Sequence, residues 1–415
     1  MTTEAGAAAR AGTPTTPVDT QTRTQTLAVI AALAAGVIGG CAFAKMSPAL
    51  PLLKHEFGLT LVQAGWLASV FNALAMLSAI FFGVFSDRVG ALRFCLAGLA
   101  CVAAGGTLGA LSPDTIVLIV SRLIEGLGFI AIIVSAPGLI VAAIAPERRG
   151  LVFGFWSSYM PLGSALVLAT SPLAIAAAGW RGIWAAVALA AAACALLLFS
   201  QRRHYAEVSR GTRRSLASIR ASLAQPVPWW LGLAFALYTV QNVGVFLWLP
   251  TYLIETRGIS PTNAALLGAL SIFVNCFGNV LGGWLVQRKV PRGRIIGAAF
   301  IVAGVLFVGM FSAVLPDGAR YALVLIYNAA CGVIPAAALS GGARYARSPA
   351  EVGSIQGLIV QLTNVGIFFG PPLIATVVTY AHSWDAALWV MLAAAAAGLA
   401  VSRVIARYER CEQRA

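Results

Sequence analysis

The chain has 415 residues, of which 60% are hydrophobic and only 10% are charged, and its mean hydropathy is +0.87. Soluble domains are usually about a quarter charged, so this composition excludes a soluble enzyme and a disordered chain. The formal net charge of +14 on so apolar a chain is typical of a membrane protein whose basic residues lie in loops. Because a nucleic-acid groove needs a charge-dense soluble face, we expect no nucleic-acid partner.

Twelve apolar segments approach or exceed the length of about 20 residues that a helix needs to cross a bilayer. Long continuous runs of this kind exclude a β-barrel, whose strands are short and alternate in hydropathy. We therefore predict an all-α polytopic membrane protein with twelve transmembrane helices. The segments cover residues 26–50, 61–84, 92–112, 115–145, 151–175, 182–200, 229–253, 263–286, 295–315, 320–342, 354–380 and 386–406.

Lysine and arginine are distributed unevenly among the loops. With the N-terminus inside, 22 of the 28 basic residues lie on inner segments and four on outer segments. Basic loops stay in the cytoplasm, so both termini are predicted to be cytoplasmic, and the Ala- and Arg-rich composition suggests a bacterial inner membrane. The predicted parts are a disordered tail, a six-helix bundle, a basic linker, a second bundle and a short tail, at residues 1–25, 26–200, 201–227, 228–408 and 409–415.

The two halves repeat each other about 200 residues apart. The segment GVFSDRVGALR at residues 83–93 follows the second apolar run, and GWLVQRKVPRGR at residues 283–294 follows the eighth. Six-helix halves repeated on one chain are typical of a transporter whose binding site lies between the halves, near the membrane midplane.

Several segments together resemble the major facilitator superfamily. Residues 83–93 are similar to its GxxxDRxGxxR signature between helices two and three, and residues 122–128 (RLIEGLG) resemble its fourth-helix RxxxGxG motif. Residues 146–150 (PERRG) resemble its loop between helices four and five. The resemblance covers residues 26–408 and implies two bundles around a central cavity, alternating access and transport, not enzymatic activity. The chain departs from the pattern at Gln287, where Asp is common, and carries only part of the fifth-helix antiporter motif.

The resemblance also implies a conformational latch on the inner face, made of Gly83, Asp87, Arg88, Gly90 and Arg93. Asp87 would bridge to Arg93 or to a helix N-terminus and favour the outward-open state. The two glycines would permit close helix approach and a tight turn. The alternative is that this segment only sets the topology through its positive charge.

Three ionisable residues lie within apolar segments, where a charge costs at least about 2.5–3.5 kcal/mol. Arg122 and Glu125 are three apart on one helix, so they form either a self-neutralising pair or a proton-coupling pair in which protonated Glu125 releases Arg122. Lys45 has no acidic residue within four positions. Its ammonium therefore reaches the outer interface, pairs with another helix, or binds an anionic substrate.

The other candidate substrate-binding residues are neutral and fall on helical faces at spacings of three and four. They serve either as hydrogen bonds between helices or as the lining of a polar cavity. One cation among many neutral hydrogen-bonding groups suits a small, carboxylate-like anion. They are Asn72, Trp156 and Tyr159 in the first half, and Tyr238, Gln241, Asn242, Asn275, Asn279, Gln361 and Asn364 in the second.

The seventh-helix stretch at residues 238–254 resembles the cyanate-permease-like branch, which implies small anions. The resulting hypothesis is a monomeric, proton-coupled secondary transporter of a small organic anion, surrounded by membrane lipid and without a cofactor. No Cys or His spacing indicates a metal site. Two alternatives are a proton antiporter that exports amphipathic drug-like compounds and a transporter-like ligand sensor.

Overall fold

A computed structural model describes residues 18–144, 152, 155, 156, 158–209, 224–345 and 349–414. All regular elements in this part of the chain are helices. Most of the predicted N-terminal tail and linker, the 146–150 motif and Gly154 lie outside the described residues.

The first half contributes α1 to α6. Helix α1 is interrupted at Lys45, and α2 contains one turn of 3₁₀ helix at Val70–Asn72. The bounds are Val18–Ala44 and Met46–Phe57 for α1, Leu61–Ser69 and Ala73–Val89 for α2, Ala91–Ala110 for α3, and Thr115–Ala143 for α4.

One continuous helical element, Tyr159–Ser200, contains both the fifth and the sixth predicted spans. Its 42 residues would extend about 63 Å if straight, twice the hydrocarbon thickness of about 30 Å. The helix breaks at Ala178 and Gly179, where Gly179 adopts a φ of +61°. We therefore call residues 159–177 α5 and residues 180–200 α6. The described residues hold eleven helices long and apolar enough to span a membrane, and this one makes two crossings, which gives the predicted twelve.

The second half contributes α7 to α12 and repeats the first. Helix α10 has two parts, and a short helix, Gly341–Tyr345, follows it. The bounds are Pro226–Arg257 for α7, Pro261–Gln287 for α8, Arg292–Met310 for α9, Asp317–Cys331 and Val333–Leu339 for α10, Pro349–Ala381 for α11, and Ala387–Arg414 for α12.

The repeat extends to the helix ends. Gly58 and Gly258 end the first helix of each half in the left-handed region, at φ +61° and +60°. Two residues later, Thr60 and Ser260 each accept a hydrogen bond from a backbone N–H of the following helix. Equivalent loops, 200 positions apart, thus turn the chain back at what we call the distal end of the bundle. The opposite end, where α1 begins and α12 ends, is the terminal end.

The fourth-helix glycine motif brings backbones into direct contact. A Cβ atom at Gly126 would lie 1.9 Å from the carbonyl oxygen of Phe71 on α2, and one at Gly128 would lie 2.4 Å from that of Gly98 on α3. Small residues of this kind permit the close helix approach on which membrane packing depends. They place the ionisable residues of α4 deep in the first bundle.

Candidate functional site

Lys45, Arg122 and Glu125 form one ionic cluster inside the first bundle. The Lys45 ammonium on α1 pairs with Oε1 of Glu125, and Nη1 of Arg122 lies 2.7 Å from Oε2 of the same carboxylate. All three side chains are fully buried. Lys45 thus lies inside the bundle and does not reach the outer interface.

Backbone and aromatic groups complete the cluster. Arg122 donates through Nη1 to the carbonyl of Ala42, at 2.8 Å, in α1 just before its interruption. The Lys45 ammonium lies 4.5 Å from the Trp184 ring centre, and the Arg122 guanidinium carbon lies 4.4 Å from that of Phe71. Aromatic faces attract cations, most strongly where water is excluded. With all three groups ionised, two cations share one carboxylate, and the cluster carries a formal charge of +1 in a nonpolar interior.

A separate cavity of about 190 Å³ lies between the two halves. It extends from the stacked rings of Phe43 and Phe246, 5.8 Å apart, toward Leu339 at the terminal end. Most of the lining is apolar. The polar side chains among the lining residues are Tyr159, Ser164, Tyr238, Thr239, Asn242, Asn275, Asn279, Thr363 and Asn364.

The second half presents a connected amide network to this cavity. Asn275 donates to the Tyr238 hydroxyl at 2.9 Å and to the Asn328 carbonyl at 3.0 Å. Its own amide oxygen accepts from Asn279 at 2.9 Å, and Asn242 donates to the amide oxygen of Asn328 at 3.2 Å. The network joins α7, α8 and α10, so these polar groups are oriented before any ligand arrives.

Other predicted binding residues are not among the described residues that line this cavity. Gln241 donates to the Met391 carbonyl on α12 at 2.8 Å, and Trp156 stacks on Tyr159 with ring centres 4.8 Å apart. Within the described part of the chain, Gln361 does not line the cavity and its side-chain oxygen has no hydrogen-bond partner. Asn72 is fully buried in a smaller pocket beside Phe43, and neither polar atom of its amide has a hydrogen-bond partner among the residues that the structure describes.

Aromatic rings separate the ionic cluster from the cavity. Phe71 covers the Arg122 guanidinium and contacts Phe43, with ring centres 5.9 Å apart, and Phe129, at 5.2 Å. Phe43 and Phe129 also line the cavity. No sequence pattern indicates this aromatic layer, because its members come from three helices and each resembles an ordinary core residue.

The distal end is closed by contacts between the halves. Ser47 on α1 donates to the Phe246 carbonyl on α7 at 2.9 Å. Further out, the Lys54 ammonium lies 2.6 Å from Oε1 of Glu255. These residues were not predicted, although Lys54 and Glu255 lie at nearly equivalent positions of the 200-residue repeat.

The latch segment is only partly described. Gly83, Asp87 and Arg88 belong to the last turns of α2, but their side chains lie outside the described set. Gly90 makes the tight turn into α3 with a φ of +94°, and Arg93 lies exposed in the first turn of α3. No cluster of metal-ligating side chains occurs among the residues that the structure describes.

Curated relatives share modest identity over long stretches. A probable sulfoacetate transporter of Cupriavidus necator is 27% identical over 64% of this chain. The matched stretch covers about 65% of that relative's own length. A hexuronate transporter of Bacillus subtilis is 23% identical over 91% of this chain and 92% of its own. A class H tetracycline resistance protein of Pasteurella multocida is 25% identical over 88% of this chain and 92% of its own.

The fold is also found among solved structures. A bacterial homolog of the human lysosomal transporter Spinster, in an inward-facing and occupied conformation, superposes with a TM-score of 0.75. It covers 91% of this chain and 96% of its own at 18% identity, which shows a common fold. The sequence profile described as Major Facilitator Superfamily matches residues 29–371. The chain, with its two six-helix bundles, is therefore a membrane transporter of the Major Facilitator Superfamily.

Proposed function

We propose that this protein moves a small, carboxylate-like anion across the membrane by alternating access, coupled to protons. The observation that carries the proposal is the buried cluster with one excess positive charge beside a cavity lined by amides. A buried charge without full compensation is costly, and an anionic ligand supplies the missing negative charge. Relatives named as sulfoacetate and hexuronate transporters favour the same substrate class.

Protonation of Glu125 provides the coupling. Neutral Glu125 no longer compensates Lys45 or Arg122, so the formal charge of the cluster rises from +1 to +2 and the cavity attracts an anion more strongly. Proton and anion therefore bind cooperatively, which favours symport over antiport. Contact between substrate and Lys45 requires the rings of Phe43 and Phe71 to move, since they separate the cluster from the cavity.

The remaining binding residues are proposed to orient the substrate. Asn242, Asn275, Asn279, Tyr238, Tyr159 and Asn364 line the cavity in this conformation. Asn72, Trp156 and Gln361 lie outside it and would contribute only after the halves rearrange, whereas Gln241 bonds to the Met391 carbonyl and holds α7 to α12. The closed distal end then corresponds to the periplasmic side of a bacterial inner membrane, with both termini cytoplasmic and one chain sufficient for transport.

Uptake into proteoliposomes tests the proposal. Purified protein is supplied with radiolabelled sulfoacetate, glucuronate or nicotinate under an imposed proton gradient, acidic on the distal side. We expect accumulation of at least one anion, abolished by a protonophore and by Lys45→Met but not by Lys289→Met, an exposed lysine in the α8–α9 turn. Binding without accumulation would instead identify a ligand sensor.

Export of amphipathic compounds is the second candidate, favoured by the largely apolar cavity and by the tetracycline resistance relative. The same vesicles distinguish the two functions. Proton-driven movement of a lipophilic cation such as tetraphenylphosphonium, unaffected by Lys45→Met, would exclude the anion proposal.

A further inference from the structure

A second cavity lies entirely within the C-terminal bundle. Its volume is about 320 Å³, larger than that of the cavity between the halves. Residues of α7 to α12 and of the adjoining distal loops form its walls, and none of the described lining residues belongs to the first half. Protein interiors are otherwise close-packed, so a space of this size within one bundle can accommodate a ligand.

The walls of this cavity are apolar. Trp248, Phe307, Val324 and Met391 are buried side chains that line it, and Ile374 closes it on the α11 side. A buried water needs two to four polar partners, which these walls do not supply. A hydrocarbon chain is the occupant that matches the lining.

The mouth of the cavity is polar and lies at the distal helix ends. Arg257 ends α7, and Asp317 and Arg320 begin α10. Asp317 Oδ1 lies 3.3 Å from Nη1 of Arg257 and 3.9 Å from Nη1 of Arg320. Among the described residues that line the cavity, two cations therefore face a single carboxylate, and Asp385, next to the lining residue Trp384, also attracts Arg257.

The two arginines are held in place by neighbouring groups. Arg257 donates to the Tyr252 hydroxyl at 3.1 Å, and Arg320 donates through Nε to the Leu315 carbonyl at 2.9 Å. A guanidinium fixed in this way binds a carboxylate through paired hydrogen bonds.

We propose that this cavity binds a single-chain amphipathic carboxylate of the fatty-acid class. The hydrocarbon chain lies among Trp248, Phe307 and Met391, and the carboxylate lies between Arg257 and Arg320. The volume is at the lower end of the range of about 300–1,000 Å³ for small-molecule sites, which suits one acyl chain and not the two chains of a phospholipid. The site is independent of the cavity between the halves and of the proposed transport.

Tryptophan fluorescence tests the proposal, because two of the chain's ten tryptophans, Trp248 and Trp384, line the cavity. Bromine quenches indole fluorescence on contact, so bromododecanoic acid added to the full-length protein in an uncharged detergent reports binding. We expect saturable quenching that is largely lost in Trp248→Phe/Trp384→Phe. Arg257→Gln and Arg320→Gln are each expected to weaken binding roughly tenfold or more, because each removes a charge-assisted hydrogen bond to the carboxylate.

Matched variants define the result. Arg181→Gln removes a distal arginine of the first half, and Lys45→Met alters the ionic cluster; both should bind with wild-type affinity. Ala387→Phe, which fills the cavity from α12, should abolish binding while thermal unfolding confirms that the protein is folded. Equal quenching by bromododecanol, displacement by phosphatidylglycerol, or an unchanged affinity in both arginine variants would each overturn the proposal.

Discussion

Lys45 and Glu125 form a fully buried ion pair that joins α1 to α4 across 80 positions of the chain. The second oxygen of Glu125 is occupied by Arg122, so one carboxylate holds both cations. A change in the charge of Glu125 therefore alters the electrostatic energy of both cations. It also acts on the interruption of α1, because Arg122 donates to the Ala42 carbonyl. Removal of the Glu125 carboxylate would therefore leave two buried cations without their shared anion.

The first prediction concerns Glu125→Gln. The substitution leaves Lys45 and Arg122 buried without an anion, and breaking a buried pair in this way costs about 3–5 kcal/mol. We expect a corresponding decrease in the free energy of unfolding, measured by denaturation in detergent without substrate.

Lys45→Met provides the comparison. It removes the excess cation and leaves Arg122 paired with Glu125 at 2.7 Å, so the loss should stay below about 2 kcal/mol. If Lys45→Met proves as destabilising as Glu125→Gln, the shared-carboxylate explanation is wrong.

The sequence identified the members of this cluster and the Arg122–Glu125 pair, but not the partner of Lys45. Charges within apolar runs are conspicuous because each is costly in a membrane. Spacing along one helix relates Arg122 to Glu125 but contains no information about Lys45, which lies on another helix. Contacts between helices depend on their packing, here on Gly126 and Gly128, and cannot be obtained from periodicity.

The second prediction compares adjacent amides, Gln241 and Asn242. Asn242 lines the cavity, whereas Gln241 hydrogen-bonds to Met391 inside the second bundle. Asn242→Ala should raise the KM for the transported anion severalfold, and the loss of its bond to Asn328 should lower the free energy of unfolding by about 1 kcal/mol. Gln241→Ala should leave KM unchanged and lower the free energy of unfolding by about 1 kcal/mol. Transport kinetics and denaturation of both variants check these expectations. An increase in KM that occurs only in Gln241→Ala would contradict the conclusion that Asn242 faces the cavity and Gln241 faces α12.

The same two residues show which contacts helical periodicity can and cannot predict. It grouped Tyr238, Gln241 and Asn242 on one broad face, and the structure divides that face between the cavity and α12. The twelve spans were predicted because length and hydropathy suffice for them. The direct joining of α5 to α6 without a loop was not predicted, since it depends on the local backbone geometry at Ala178 and Gly179.

The third prediction concerns the latch. If Asp87 stabilises the outward-open state, Asp87→Asn should decrease the population of that state and slow transport. Spin labels on the two halves at the distal end, with distances measured by pulsed electron resonance, report the population. Arg93→Gln should shift it in the same direction if Arg93 is the partner. If Asp87→Asn changes neither the distances between the spin labels nor the transport rate, the segment acts only through its positive charge on the topology.

The fourth prediction concerns the distal closure between Lys54 and Glu255. These side chains are 21% and 40% exposed, so their attraction is screened and contributes about 0.2–1 kcal/mol. Lys54→Glu places two carboxylates together and should shift the equilibrium toward the outward-open state by up to about fivefold, opposite to Asp87→Asn. The double variant Lys54→Glu/Glu255→Lys restores an ion pair and should recover the wild-type distances. Because salt screens exposed pairs, the difference in distal distances between the single and the double variant should decrease at high ionic strength. If instead the distances respond neither to salt nor to the charge exchange, the Ser47–Phe246 contact closes the distal end and this ion pair does not.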